Sequence, residues 1–274
     1  MTTRKQNFNY EEFAYKVIQE HNKVRTDPSS YIEKIQNLMK HFRGNVLYKP
    51  REDPVNTYEG KAAFDEAIEF LRKQHPVDAL TPDDRLSLAC KDHTNDIGPK
   101  GNASHESSDG KTVSDRIEKY CEWDGACSEN IDLGTSCAED LIINFIVDDG
   151  IPQRLQRRNL FSPELKFIGV AAGEHKEYKI GTVVNYVTGV RNLGETSPDV
   201  KNFITEYLKK AEERKKNPKP LNPFQEEDPD APDDTVSVKI IKTTKLIQGK
   251  QKKITRKIYS LSDTTQHIVE IEDA

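Results

Sequence analysis

The amino-acid sequence predicts an α+β protein, an α/β/α sandwich followed by a C-terminal β-meander. Residues 10–147 carry their apolar side chains mostly at helical spacing, punctuated by capping residues and prolines. Two β-rich runs, Leu165–Ala171 and Tyr178–Val187, flank a polar turn and read as an antiparallel hairpin. The final segment changes character again, to three short alternating runs. Helices flanking a small antiparallel sheet bury its faces as a sandwich.

Residues 10–25 place Phe13, Val17, Ile18, His21 and Val24 near one helix face. Asp27-Pro28 resembles an N-cap with Pro at the first helical position, and Tyr31, Ile32, Ile35, Leu38, Met39 and Phe42 continue a second helix. Arg43 to Thr57 reads as an irregular insert, broken by Pro50 and Pro54. Helical spacing returns over 59–74 through Ala63, Ala67, Phe70 and Leu71. Thr81-Pro82-Asp83-Asp84 opens a helix with Leu86, Ala89, Cys90 and His93 along one side. Thr112 caps a short helix with Asp115 at its third position. Ser136–Val147 is apolar on most sides and reads as a buried helix closed by Asp149-Gly150.

Five segments follow from composition: a tail (1–9), a sandwich domain (10–191), a connecting helix (192–216), a linker (217–234) and a β extension (235–274). The connecting helix has a basic end, and the linker holds five prolines and six acidic residues. In the extension, Val236–Ile240, Ile254–Leu261 and His267–Ile271 are the expected strands, with too little apolar area to fold firmly alone. An exposed edge there invites strand addition by a partner.

At 274 residues the chain has room for one substantial core plus appendages. The net charge of −5 gives no reason to expect nucleic-acid binding, and no surface of concentrated positive charge is evident. The N-terminus shows no secretory apolar stretch, and no run of 18 apolar residues occurs. A soluble, cytoplasmic protein with reduced Cys90, Cys121, Cys127 and Cys137 is the expectation. Cys121 and Cys127 flank a short loop that can close a disulfide or lend thiolates to zinc; unbridged thiols with no role are the simpler reading.

Several short motifs occur in order: His21-Asn22-Lys23-Val24-Arg25, His105-Glu106-Ser107-Ser108-Asp109-Gly110, Ser128-Glu129-Asn130-Ile131, Asp148-Asp149-Gly150-Ile151-Pro152 and Gln156-Arg157-Arg158-Asn159-Leu160. Over roughly residues 10–191 this array resembles the CAP superfamily (cysteine-rich secretory, antigen 5, pathogenesis-related 1), also called SCP domains. The resemblance implies the sandwich fold and a cleft where two His and two acidic residues converge. Carried across motif by motif, those positions are His105, Glu129, Asp148 and Gln156. The second His is thus replaced by Gln. Phe145 stands where relatives often have Trp, the acid after it is one methylene shorter, and Asp149 competes with Asp148 for the role.

Imidazole nitrogen and carboxylate oxygen both suit zinc, whereas Gln156 offers only a weak carbonyl donor. The expectation is therefore no metal and no cofactor, with His93 or a thiol as the candidate substitute ligand. His105 and Glu129 could form an acid–base pair, but Ser107, Ser108 and Cys127 are only nearby candidates for a nucleophile, so the chain is not expected to be an enzyme. His21, Arg25, Asn130, Arg157 and Asn159 are assigned structural roles. Arg25 is to tie the first helix to a carboxylate or carbonyl, Asn130 to satisfy a turn after Glu129, and Arg157 and Asn159 to cap the hairpin or line the cleft rim.

The resulting expectation is a non-catalytic binding or scaffolding protein. It would dock onto an intracellular assembly, cytoskeletal or of a ciliary axoneme, through the linker and C-terminal strands. A lipid- or sterol-binding CAP protein is the alternative, and a metal-dependent hydrolase with a degenerate tetrad the second. No nucleic acid, no transmembrane segment and no membrane contact are expected, and self-association stays open.

Overall fold

The computed structural model describes residues 8–50, 53–191, 235–247, 250–261 and 266–272. It divides into two compact units, Met1–Ala211 and Glu212–Ala274. The expected connecting helix and acidic linker lie outside the described residues.

In the first unit, helix α1 (Tyr10–Thr26) begins at Asn9, whose side chain accepts from Glu12 N at 3.2 Å. Glu11 and Glu12 in its first turn and Lys23 and Arg25 in its last complement the helix dipole. Its buried residues (Phe13, Ala14, Val17, His21, Val24, Arg25) recur every three or four positions and form the inward stripe. Pro28–Tyr31 make a 3-10 turn leading into α2 (Ile32–Met39). The insert is not irregular throughout. It forms a small antiparallel sheet of β1 (Phe42–Arg43), β2 (Val46–Leu47) and β3 (Val55–Asn56), too short for periodicity to reveal.

Helix α3 (Lys61–Lys73) leads to strand β4 (Thr81–Pro82) and helix α4 (Asp84–Lys100). Asp83 caps α4 by accepting from Arg85 N, and Gly101 ends it in the left-handed conformation. Helix α5 (Val113–Glu118) starts with a reciprocal capping box between Thr112 and Asp115. Strand β5 (Glu122–Leu133), helix α6 (Ala138–Val147), helix α7 (Leu155–Phe161) and strands β6 (Phe167–His175) and β7 (Lys179–Arg191) complete the unit. The main sheet has the order β4-β6-β7-β5. Its β6–β7 hairpin pairs Phe167 with Val187 through to His175 with Lys179, and β5 pairs antiparallel with β7. The sheet is not wholly antiparallel, because β4 runs parallel to β6.

Alternate residues of β7 serve opposite layers, as strand pleating requires. Val184 and Tyr186 join the core formed with α1, α2, α3, α6 and α7, whereas Val183 and Val187 pack with residues of α4 and α5. Phe145, fully buried in α6, anchors the larger core; its truncation to Ala would cost about 3–5 kcal/mol. Two glycines let α4 lie close against β6. A Cβ on Gly98 would overlap the Glu174 carbonyl oxygen, and one on Gly169 would overlap the backbone of Leu86 and Ser87.

The second unit is an antiparallel sheet of order β10-β9-β8, with β8 (Thr235–Ile247), β9 (Lys250–Leu261) and β10 (Gln266–Glu272). Strands β8 and β9 stay paired further than the apolar alternation suggests, through Lys- and Thr-rich sequence as far as Ile247 with Lys250.

Candidate functional site

The site is built around β5, which lies at an edge of the main sheet. Glu129 and Asn130 therefore sit in a strand and not in a turn. The same correction applies to the Cys121–Cys127 segment, most of which is the start of β5. None of the four cysteines is in a disulfide: Cys90 and Cys121 are buried, Cys127 is half-buried and Cys137 is exposed. Burial pushes the Cys121 thiol up to about 12, so it stays protonated at neutral pH.

Pleating sends Glu129 towards α4 and its neighbour Asn130 towards α7. The Glu129 side chain is 2% exposed, and both its oxygens are engaged. Oε2 lies 2.6 Å from Arg116 Nη2, and Oε1 lies 2.9 Å from His105 Nδ1. His105 is on the loop between α4 and α5, with its side chain 65% exposed. Arg116 is buried, and its Nη1 donates to the carbonyls of His105 and Lys111 and to Ser107 Oγ, each at 3.1 Å. One guanidinium thus neutralises Glu129 and fastens the 105–111 loop.

His93 of α4 belongs to the same group. Its side chain is fully buried, its Nε2 lies 2.8 Å from the Ser104 carbonyl oxygen, and its Nδ1 lies 3.2 Å from Ser107 Oγ. That pairing assigns the proton to Nε2 and leaves Nδ1 to accept from the serine hydroxyl. Desolvation, reinforced by Arg116 and opposed by Glu129, lowers the His93 pKa and favours the neutral ring. Nε2 is 3.9 Å from Glu129 Oε1, but its proton is already directed at the Ser104 carbonyl.

On the other side, α6 ends at Asp148, which takes a left-handed conformation (φ 49°) that turns its carboxylate back onto α7. Asp148 Oδ2 accepts from Gln156 N at 2.8 Å, and Oδ1 from Gln156 Nε2 at 3.2 Å. Burial raises the Asp148 pKa, partly offset by these bonds. Asp149 points elsewhere: its oxygens accept from Tyr58 N and Glu59 N, so Asp148 is the residue facing Gln156. Gln156 Oε1 in turn accepts from Ile131 N of β5 at 3.2 Å. One amide therefore bridges the end of α6 to the edge of the sheet.

The remaining motif residues hold these elements together. Asn130, fully buried, donates to the Gln156 carbonyl at 3.0 Å and accepts from Asn159 Nδ2 at 2.8 Å. Arg157 forks onto both oxygens of Glu66, at 2.6 and 2.8 Å, and also donates to the carbonyls of Ile146 and Val147. Arg157 and Asn159 lie within helix α7, too short for apolar spacing to reveal. Arg25 donates to the carbonyls of Asp78 and Leu160, at 2.8 and 2.7 Å. His21 lies beside Tyr186, ring centroids 5.3 Å apart, and neither of its nitrogens has a hydrogen-bond partner among the described residues. Burial, with Arg25 adding to it, lowers its pKa to about 3.

The structure thus brings His105 together with Glu129 and Asp148 with Gln156, on opposite sides of β5. Sequence reasoning missed Arg116 and gave His93 only a conditional role. The donor set does not fit a divalent cation. A guanidinium already occupies Glu129, the Gln156 oxygen is turned onto a backbone N–H, and no cluster of three metal-capable side chains occurs among the described residues.

The sequence model of the Cysteine-rich secretory protein family, CAP, matches residues 18–189. The chain belongs to the CAP family. Two solved structures are similar at 20% identity. An extracellular protein containing a SCP domain from Bacillus anthracis str. Ames aligns over 46% of this chain and 39% of that one, with a TM-score of 0.34. An outer surface protein from Borrelia burgdorferi aligns over 48% of this chain and 92% of that one, with a TM-score of 0.36. The CAP chain therefore spans well under two thirds of the Bacillus protein's length. No curated protein sequence matches it. No described helix is long and apolar enough to cross a membrane.

Proposed function

We propose that this CAP protein is a non-catalytic binding or scaffolding module that docks onto an intracellular protein assembly. The observation carrying this reading is the Gln156 amide, which spans the Asp148 carboxylate and the Ile131 N–H. It replaces a ligating or proton-transferring imidazole with a neutral side chain whose polar atoms are both spent on holding the fold. Four cysteines outside disulfides are in keeping with a reducing compartment. The lipid alternative draws little support from the site's surroundings. The cavity of about 440 Å³ beside Ser107 and Arg116 is walled by Asp92, Asp96, Asp109 and Asp115 with Lys111 and Lys119, a lining unsuited to an acyl chain.

Zinc titration followed by thermal unfolding tests the loss of metal chemistry. The wild-type midpoint is expected to stay put at stoichiometric zinc, and the Gln156→His variant to gain zinc-dependent stabilisation. A rise in the wild type that Glu129→Ala abolishes would return the hydrolase reading. Gel filtration of native extracts tests the docking half: elution in a large, salt-resistant complex is expected, and elution as a lone chain would overturn it.

A further inference from the structure

Residues 235–261 contain eight basic side chains (Lys239, Lys242, Lys245, Lys250, Lys252, Lys253, Arg256 and Lys257) and no acidic one, in a chain whose net charge is −5. The antiparallel register of β8 and β9 concentrates them. Lys245 stands directly opposite Lys252, with Thr244–Lys253 and Ile247–Lys250 as neighbouring pairs. Alternation puts Lys239, Lys245, Lys250, Lys252 and Arg256 on one face and Lys242, Lys253 and Lys257 on the other. Like charges facing each other across a ladder destabilise it. Lysines on an edge strand can serve simply to deter aggregation, but five of these eight charges lie on β9, the central strand.

The flanks of the hairpin differ. On the β10 side, Glu270 pairs directly with Arg256, and Glu272 lies two residues further along the same strand. Strand β10 thus brings acidic residues to one side of β9. Among the described residues no such strand pairs with the outer edge of β8, thirteen residues long, at the other end of the sheet order.

We infer that the outer edge of β8 docks an acidic polypeptide segment, which adds as a further strand with carboxylates opposite Lys239, Lys242 and Lys245. This deepens the docking function proposed above and rests on it. Strand addition supplies backbone hydrogen bonds along the edge, and the Lys spacing selects acidic residues three apart in the partner. A nucleic acid leaves the backbone edge unmatched and finds only Tyr259 in the hairpin for stacking. A membrane surface calls for charge on one face, whereas here both faces are basic. The chain's own acidic run, Glu226–Asp234, is a poor occupant, because Pro229 and Pro232 lack ladder donors.

The test uses the full chain and a fluorescent thirteen-residue peptide with Glu at every third position and Thr or Val between. Fluorescence anisotropy should show saturable binding that weakens with salt. Affinity should fall about tenfold or more for the Gln-substituted peptide, and for a peptide of unchanged charge N-methylated at alternate residues. The Lys239→Glu, Lys242→Glu, Lys245→Glu triple variant should lose binding as well. Equal binding of the N-methylated peptide would overturn strand addition. Comparable affinity for a duplex oligonucleotide or for phosphatidylserine vesicles would reduce the hairpin to a general polyanion site and overturn the inference. Absence of peptide binding would also overturn it, while the zinc result and the extract elution would still decide the broader function.

Discussion

The two faces of the main sheet solve the burial of polar groups differently. On the α4 face, Glu129 is held by formal charge and directed donors: Arg116, His105 and, through the loop, His93. On the opposite face neutral amides, Asn130, Asn159 and Gln156, tie the Asp148 carboxylate to the sheet edge, while His21, Ser128 and Tyr186 keep side-chain polar atoms without partners among the described residues. One face is stiffened by electrostatics that are costly to break. The other holds, beside its paired charges, a buried His21 ring that is kept neutral by burial.

Arg116→Ala should sharpen that contrast most. It strands a buried carboxylate and releases the 105–111 loop, so unfolding free energy should drop by about 3–5 kcal/mol in urea melts. A loss below about 1 kcal/mol would mean that Glu129 is solvated after all. On the other face the sensitive variable is pH. An unfolded chain protonates His21 near its ordinary value of 6.5, whereas the buried ring resists protonation down to about 3. The neutral ring's contribution is thus complete above pH 6.5 and is lost as the pH falls towards 3. Between pH 6.5 and about pH 4 this alone should remove roughly 3 kcal/mol. His21→Leu should flatten that acid limb, and an unchanged slope would show that other groups dominate it. Smaller again is Asn130→Ala, which removes a donor from the Gln156 carbonyl and leaves the Asn159 amide only its 3.4 Å bond to the Glu129 carbonyl, and should cost about 2 kcal/mol. Hydrogen exchange at Ile131 should rise with it; unaltered protection there would separate the amide lattice from the sheet edge.

Most of the helices on the amphipathic face were legible from spacing and caps. Phe13, Val17, His21 and Val24 mark α1, and Thr112 with Asp115 announces α5. Strand β5 was not legible, because Glu122-Trp123-Asp124-Gly125-Ala126 lacks alternation and includes a glycine at φ 77° beside a register shift. The motifs single out His105, Glu129, Asp148 and Gln156, but what each side chain bonds to was not legible in them. Whether Gln156 faces a ligand or a backbone amide depends on where α7 lies against β5. Arg116 was invisible for a related reason: an Arg in a six-residue polar helix looks like surface until the loop wraps over it. The basic concentration of the C-terminal hairpin is hidden in the sequence because the lysines are dispersed along it and gather only in register.

The close seating of α4 on β6 has a mechanical consequence. Gly169 fixes the start of the helix at Leu86 and Ser87, and Gly98 fixes its far end at Glu174, where its carbonyl also accepts from Lys176 N at 2.9 Å. His93 lies between these two fulcrums. A single methyl at either glycine would lift one end of α4 like a lever and swing the imidazole off Ser104 and Ser107. The reach of the Glu129 group therefore extends beyond the side chains it touches, and a change on the backbone of a neighbouring strand can loosen the 104–111 loop without touching it.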